Sequence, residues 1–299
     1  MRDDRVVIAG SSGLIGSALT RSLQADGIEV TRLVRRPARS TDEVQWQPDT
    51  TDLDPGVLAG ATAVVNLCGA SIAHLPWTST YRTTLAASRL QPTMRLAQAI
   101  HALAGDAPQF VSASAVGFYG NRPGETLTET STAGDSFLAE LSADWERAAL
   151  AAGPGARVAL LRTASVLHPQ AVLKPLLLLT RAGVSGPLGG GEQVWPWISL
   201  DDEVRAIRHI IDHGLTGPVN LAGPVPASAN DIGRDLARRL HRPFVLPAPA
   251  WALRLALGRD AAESLLLADA TVTPQVLTDT GFAFVHDTAA EAIGAVLSR

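Results

Sequence analysis

Seven residues near the start, Gly10-Ser11-Ser12-Gly13-Leu14-Ile15-Gly16, constrain this chain more than any other stretch. They follow a short apolar run, Arg5-Val-Val-Ile-Ala-Gly10. They open a segment in which Leu14, Ile15, Ala18, Leu19 and Leu23 recur at helical spacing, and Gly27 ends it. A strand, a tight turn and a helix in that order give each glycine its own reason. One makes the turn, one lets backbone approach a pyrophosphate, and one lets the helix pack on the strand. The helix N-terminus then offers unpaired N–H groups and a positive dipole end to phosphates. All seven residues are candidates for binding a dinucleotide. The plain alternative is a strand-to-helix turn with no ligand.

The end of the second strand, Ile28–Val34, selects the cofactor. An NAD site carries an Asp or Glu about 20 residues beyond the turn, where it bonds the ribose 2′-hydroxyl. This chain has Val34-Arg35-Arg36-Pro37-Ala38-Arg39 there. A carboxylate would repel a 2′-phosphate, whereas an arginine binds it with two hydrogen bonds. NADP(H) is therefore expected, with Arg35 as first contact, Arg36 either a second contact or solvent-facing, and Arg39 most open to a solvated reading.

Strand and helix patterns alternate through the first half. Val44–Trp46, Ala61–Leu67, Gln109–Ala113 and Arg157–Leu161 read as further strands, with helices near Thr80–Ala104 and Ser136–Ala151. Such alternation predicts an α/β chain of Rossmann type, a doubly wound parallel sheet covered on both faces. Residues 1–166 form the expected dinucleotide-binding domain. Residues 167–299 form a smaller, mostly helical substrate lobe with a C-terminal tail. That lobe is not an independent bead, because Gly217–Ala222 reads as a strand able to return to the sheet.

Charge and cysteine content exclude several classes. The formal net charge is −4, which argues against nucleic-acid binding through bulk charge. A single cysteine, Cys68, excludes an internal disulfide and any multi-cysteine zinc site. The seven histidines form no metal-ligand spacing, so no metal is expected. Met1–Arg5 runs straight into the first strand without a signal-peptide hydrophobic region. No apolar stretch reaches the roughly 18 residues of a membrane span. The expectation is a cytoplasmic protein with a small-molecule partner, no nucleic acid and no membrane, and with a homodimer as one open assembly.

Other segments extend the pattern. They include Asn66-Leu67-Cys68-Gly69-Ala70, Trp77-Thr78, Ser88-Arg89 with Thr93, and Ser112-Ala-Ser114-Ala-Val-Gly-Phe118-Tyr119-Gly120. Thr128-Glu129, Leu161-Arg162-Thr163, Gly186–Gly191, Trp197 with Asp201-Asp202, and Gly217–Asn220 follow in order. Leu240–Pro243, Pro274 with Leu277, and Gly281–Phe284 close the series. In that order, over nearly the whole chain, they resemble an atypical branch of the extended short-chain dehydrogenase/reductases. That branch is the bacterial "epimerase family" proteins, NAD-dependent epimerase/dehydratase-like, with a conserved C-terminal tail domain. The resemblance implies a nucleotide-binding Rossmann fold and a site at the carboxyl ends of the strands.

The departures matter as much. Typical members use a Tyr-x-x-x-Lys pair for proton transfer, and the corresponding helix here reads Phe137-Leu-Ala-Glu-Leu141. Lys174 is the only lysine and Gln170 stands four residues before it, so no such pair exists anywhere in the chain. Pro76, Ala270, Thr271 and Gln275 also replace cationic or strongly polar residues of relatives. That loss points to a less charged substrate, or to drift on a solvated surface.

Ser114 sits where the superfamily places its catalytic Ser or Thr. Tyr119 is the tyrosine nearest the expected cleft and the candidate replacement proton donor. Asn66, Cys68 and Gly69 end the fourth strand beside the cofactor. Cys68 reads as a small buried hydrophobe rather than a nucleophile. Arg89 either faces the site or sits in an internal ion pair. Glu129 reads as a solvated loop carboxylate and one of Asp201 and Asp202 as a helix cap. Trp77, Phe118, Trp195 and Trp197, with Leu176–Leu179, are candidates for one apolar substrate pocket.

Three functions stay open. The first is an NADP(H)-dependent oxidoreductase or epimerase-like enzyme acting on an apolar carbonyl or hydroxyl compound, with Ser114 and Tyr119 polarising the oxygen. The second is a non-catalytic NADP(H)-binding sensor or interaction protein. The third is a non-redox cyclase, isomerase or dehydratase.

Overall fold

The computed structural model describes residues 4–298. Met1–Asp3, which entered the reading of the chain's start, lie outside the described residues. In chain order the elements are β1 (Arg5–Ala9), α1 (Leu14–Ala25), β2 (Glu29–Val34), β3 (Glu43–Gln45), β4 (Ala63–Asn66), α2 (Ser79–Ala102) and β5 (Gln109–Ala115). There follow β6 (Arg122–Leu127), α3 (Phe137–Leu150), β7 (Val158–Thr163), β8 (Ser165–Val166), α4 (Leu173–Arg181) and β9 (Trp197–Ile198). The remainder is α5 (Leu200–Asp212), β10 (Gly217–Leu221), α6 (Ala229–Arg239), α7 (Ala250–Leu257), α8 (Arg259–Ala262), β11 (Ala270–Val272), α9 (Gln275–Asp279) and α10 (Ala289–Leu297).

Seven of these strands form one parallel sheet in the order β3-β2-β1-β4-β5-β7-β10. The order reverses at β1, between β2 and β4, and ligands of such sheets sit in the crevice outside that reversal. The strands are apolar on both faces because helices cover both. Val6, Ile8, Val65, Val111, Leu161 and Val219 pack in one layer, and Val7, Val64, Phe110, Val158 and Leu160 in the other. β10 pairs with β7, from Gly217 beside Ala159 to Leu221 beside Thr163, so the second half does return to the sheet.

The tail is less uniformly helical than the sequence pattern predicts. β11 pairs in parallel with β6, tying Ala270–Val272 to Arg122–Leu127. β6 escapes periodicity because its residues Arg-Pro-Gly-Glu-Thr-Leu bury only Leu127. A separate apolar cluster holds the lobe together. It joins Leu173 and Leu177 of α4, Trp197 of β9, Ile232 and Leu236 of α6 and Ile293 of α10. No helix among the described residues is long and apolar enough to cross a membrane.

Candidate dinucleotide site and the adjoining cleft

β1 delivers the chain to Gly10, whose φ of +85° is open to glycine at little cost. A Cβ there would stand 2.7 Å from the Leu67 carbonyl carbon, so the glycine lets the turn lie against the end of β4. A Cβ on Gly16 would run into the Gly10 carbonyl oxygen, so that glycine lets α1 close on the turn. α1 starts at Gly13 with no side-chain cap and no acidic residue in its first turn. Its leading N–H groups and positive dipole end are thus left for an anion. Ser12 and Gly13 are exposed, Leu14 and Ile15 half-buried, Ser11 and Gly16 buried. This cradle fits a dinucleotide pyrophosphate.

The two arginines after β2 have different surroundings. Arg36 donates twice to Glu43, Nη1 to Oε2 and Nη2 to Oε1, each at 2.7 Å. Those bonds, with the Arg39 backbone N–H, hold the Glu43 carboxyl at about 2. Arg36 is therefore engaged in fastening the β2–β3 edge, which Arg35 is not. Arg35 is exposed and makes no ion pair among the described residues. It lies near enough to Cys68 for its charge to favour the thiolate. Burial outweighs that influence and pushes the thiol up to about 11. Cys68 is thus protonated and unsuited to nucleophilic attack.

Asn66 is fully buried at the end of β4. Its Nδ2 donates to Thr93 Oγ1 at 2.7 Å and its Oδ1 accepts from the Cys68 N–H at 3.2 Å, fixing the loop that passes Gly10. Gly69 follows, and a Cβ on it would lie 3.2 Å from the Arg89 guanidinium carbon. Arg89 donates to the Leu85 and Ala70 carbonyls, each at 3.0 Å, and lies over the Trp145 ring. Burial lowers its pKa to about 10. The internal ion pair considered for Arg89 does not form among the described residues.

The residues at the end of β5 are held inward. Ser114 is buried, and its Oγ donates to Glu146 Oε1 at 2.8 Å. Glu146 is clamped by Arg162, whose Nε and Nη2 donate at 2.8 and 2.9 Å. Arg162 also donates to the Tyr119 hydroxyl at 3.0 Å and lies 3.6 Å from the centre of the Phe118 ring. The Tyr119 hydroxyl donates to Asn220 Oδ1 at 2.6 Å, and Tyr119 is fully buried. Burial raises its pKa above the ordinary phenol value. Tyr119 is consequently an internal strut between β10 and the loop after β6, not a proton donor facing the cleft.

Glu129 is also buried rather than solvated. Its Oε1 accepts the N–H groups of Asn220 and Val276, each at 3.1 Å, which pins α9 to β10. Ser199, not an aspartate, caps α5, while Asp202 inside the first turn accepts from Val285 and His286 of the tail. Sequence reasoning missed Glu146 and Asn220 as the partners of Ser114 and Tyr119. The available signal was Arg162, a charge inside the apolar strand Val-Ala-Leu-Leu-Arg-Thr, which requires a buried counter-charge.

The four aromatic candidates do not share a pocket. Trp77 packs with Leu85, Leu141 and Ala261, and its ring meets Phe137 edge-on at 5.8 Å. Trp197 is core of the second lobe, and Phe118 belongs to the Arg162 cluster. Trp195 alone lines a cavity of about 130 Å³, with Leu176, Leu179, Phe244 and Leu246. The separation arises because β9 carries Trp197 into the lobe behind β8, away from the loop after β4. The positions that a Tyr-Lys pair would occupy, Phe137 and Leu141, lie in the Trp77 cluster, so that wall is apolar. No group of three or more metal-ligating side chains occurs among the described residues.

The family model described as "NAD dependent epimerase/dehydratase family" matches residues 6–222, and "Domain of unknown function (DUF1731)" matches residues 248–296. The chain is 43% identical to an epimerase family protein of Mycobacterium bovis over 297 residues, covering 98% of each. Its structure superposes on the human epimerase family protein SDR39U1 crystallised with NADPH. The TM-score is 0.88 at 29% identity, over 99% of this chain and 100% of that one. A nucleoside-diphosphate sugar epimerase from Corynebacterium glutamicum matches with a TM-score of 0.80 and 33% identity. That match covers 98% of this chain and 58% of the other.

Proposed function

The chain belongs to the NAD dependent epimerase/dehydratase family, and from that premise we propose that it is an NADP(H)-dependent oxidoreductase or epimerase-like enzyme for an apolar carbonyl or hydroxyl compound. The observation that carries this reading is the pairing of an uncapped glycine turn with Arg35, exposed, without a carboxylate partner among the described residues and close to Cys68. The similarity to a human protein crystallised with NADPH supports the same choice.

Gly10, Gly13 and Gly16 with the first turn of α1 would hold the pyrophosphate. Arg35 would hold the 2′-phosphate, and Asn66, Cys68 and Gly69 would form the neighbouring wall. When bound, the cofactor would supply hydride exchange. Ser114 donates its hydroxyl hydrogen to Glu146, and Arg162 holds that carboxylate in place by two further hydrogen bonds. With that hydrogen committed inside the fold, Ser114 would offer only its lone pairs to a substrate hydroxyl. Trp77, Phe137 and Leu141 supply the apolar wall.

The test is NADPH consumption across a panel of apolar aldehydes and ketones. Turnover by wild type that falls at least about tenfold in Ser114→Ala, with NADPH binding kept, is expected. Binding without any turnover would favour the second reading, a cofactor-binding sensor. The inward commitment of both Ser114 and Tyr119 is the observation on that side.

A further inference from the structure

Arg89 is a half-buried cation lying over the Trp145 ring. Among the described residues no carboxylate reaches it, and its two hydrogen bonds go to the Leu85 and Ala70 carbonyls. A guanidinium carries five N–H groups, so these two bonds leave donors to spare. The contrast with its neighbours is direct. Arg82, over the Phe137 ring, is paired with Asp260, and Arg162 is paired with Glu146. Holding a charge in an apolar setting is costly unless an opposite charge joins it.

The surroundings say what kind of molecule brings that charge. Ala70 and Leu85, whose carbonyls Arg89 bonds, belong to the apolar cluster of Trp77, Phe137, Leu141, Leu257 and Leu265. On α3, Phe137, Leu141 and Trp145 succeed one another at four-residue spacing. That face runs from the apolar cluster to the ring beneath Arg89. The Gly69 backbone lies close against the guanidinium, since a Cβ there would stand 3.2 Å from its carbon. One planar cation suits the single charge and two oxygens of a carboxylate.

We propose that Arg89 is the head-group contact of an apolar carboxylic acid, pairing with the carboxylate while the Trp77–Phe137–Leu141 wall meets the apolar body. This rests on the proposed reading of the cleft as an apolar substrate site, and it names the class of substrate.

The test compares 3-phenylpropionate with its uncharged amide, titrated calorimetrically into wild type, Arg89→Met and Arg89→Lys, each with and without saturating NADP⁺. Wild type should bind the acid at least about tenfold more tightly than the amide. Arg89→Met should lose that preference while still binding the amide, and Arg89→Lys should keep part of it. Equal affinity of wild type for acid and amide overturns the assignment, and that comparison does not depend on any variant folding. An Arg89→Met protein that keeps the acid preference and only melts lower makes Arg89 a loop anchor and overturns it too. If Arg89→Met instead loses at least about tenfold in NADPH affinity and wild type shows no acid preference, the guanidinium serves the cofactor and the proposal fails. A wild type that ignores NADPH defeats the cofactor reading alone, because the titrations without cofactor still report on the acid.

Discussion

Neighbouring residues of one type take different work from their surroundings, and Arg35 and Arg36 show it. Glu43 engages Arg36 with two bonds, while Arg35 is left at the rim of the turn. Arg35→Ala is therefore expected to weaken NADPH by about tenfold or more, near 1.4 kcal/mol, and NADH little, as read by calorimetry. Arg36→Ala should leave the ratio of the two cofactors unchanged. A second residue-scale prediction concerns Glu203, fully buried on α5, whose carboxyl accepts from Thr163 Oγ1 at 2.9 Å and from no other group among the described residues. Burial raises its carboxyl from 4.5 to about 8. The folded state thus holds a proton that the unfolded chain releases above its own carboxyl value. Glu203's contribution to stability is full below pH 4.5 and is lost as pH rises to about 8. The loss is at most about 1.4 kcal/mol per pH unit. Glu203→Gln keeps an acceptor for Thr163 and removes the titration. Its melting temperature should exceed wild type by more at pH 8 than at pH 5. A constant difference would contradict the assignment.

Elements explain which parts of the site were legible. The glycine turn and the β2 end are local in sequence, so spacing alone singles out Gly10, Gly13, Gly16 and Arg35 as candidates. Ser114 and Tyr119 were located on the right strand end, but their partners Glu146 and Asn220 stand 32 and 101 residues away. Only the packing of α3 and β10 against β5 and β7 brings them together, and it turns both hydroxyls inward. β6 stayed invisible because an exposed strand containing Pro and Gly carries no alternation. The tail offers a prediction at this scale. Asp202 on α5 accepts the Val285 and His286 N–H groups at 2.8 and 3.2 Å. Asp202→Ala leaves the buried His286 N–H without its acceptor, at a cost of about 1–3 kcal/mol. Melting should drop by several degrees with the NADPH affinity unchanged. A Tm equal to wild type would show that the tail is anchored elsewhere.

For the whole molecule, the parallel sheet followed from the alternation of patterns, because apolar strands buried on two faces need helices between them. The sequence pattern also grouped four aromatics into one pocket, and the three-dimensional arrangement divides them among separate clusters. The reason is that apolar spacing reports burial but not which layer a side chain enters. What remains is an uncapped helix start at the reversal of the sheet, an Arg35 with no ion pair among the described residues, and an apolar wall where a Tyr-Lys pair would stand. Such an arrangement is expected to bind NADP(H) in preference to NAD(H). Calorimetric titration of the wild-type protein with NADPH and with NADH tests it most directly. Saturable NADPH binding at least about tenfold tighter than NADH is expected. Equal affinity for the two, or no binding of either, would contradict it.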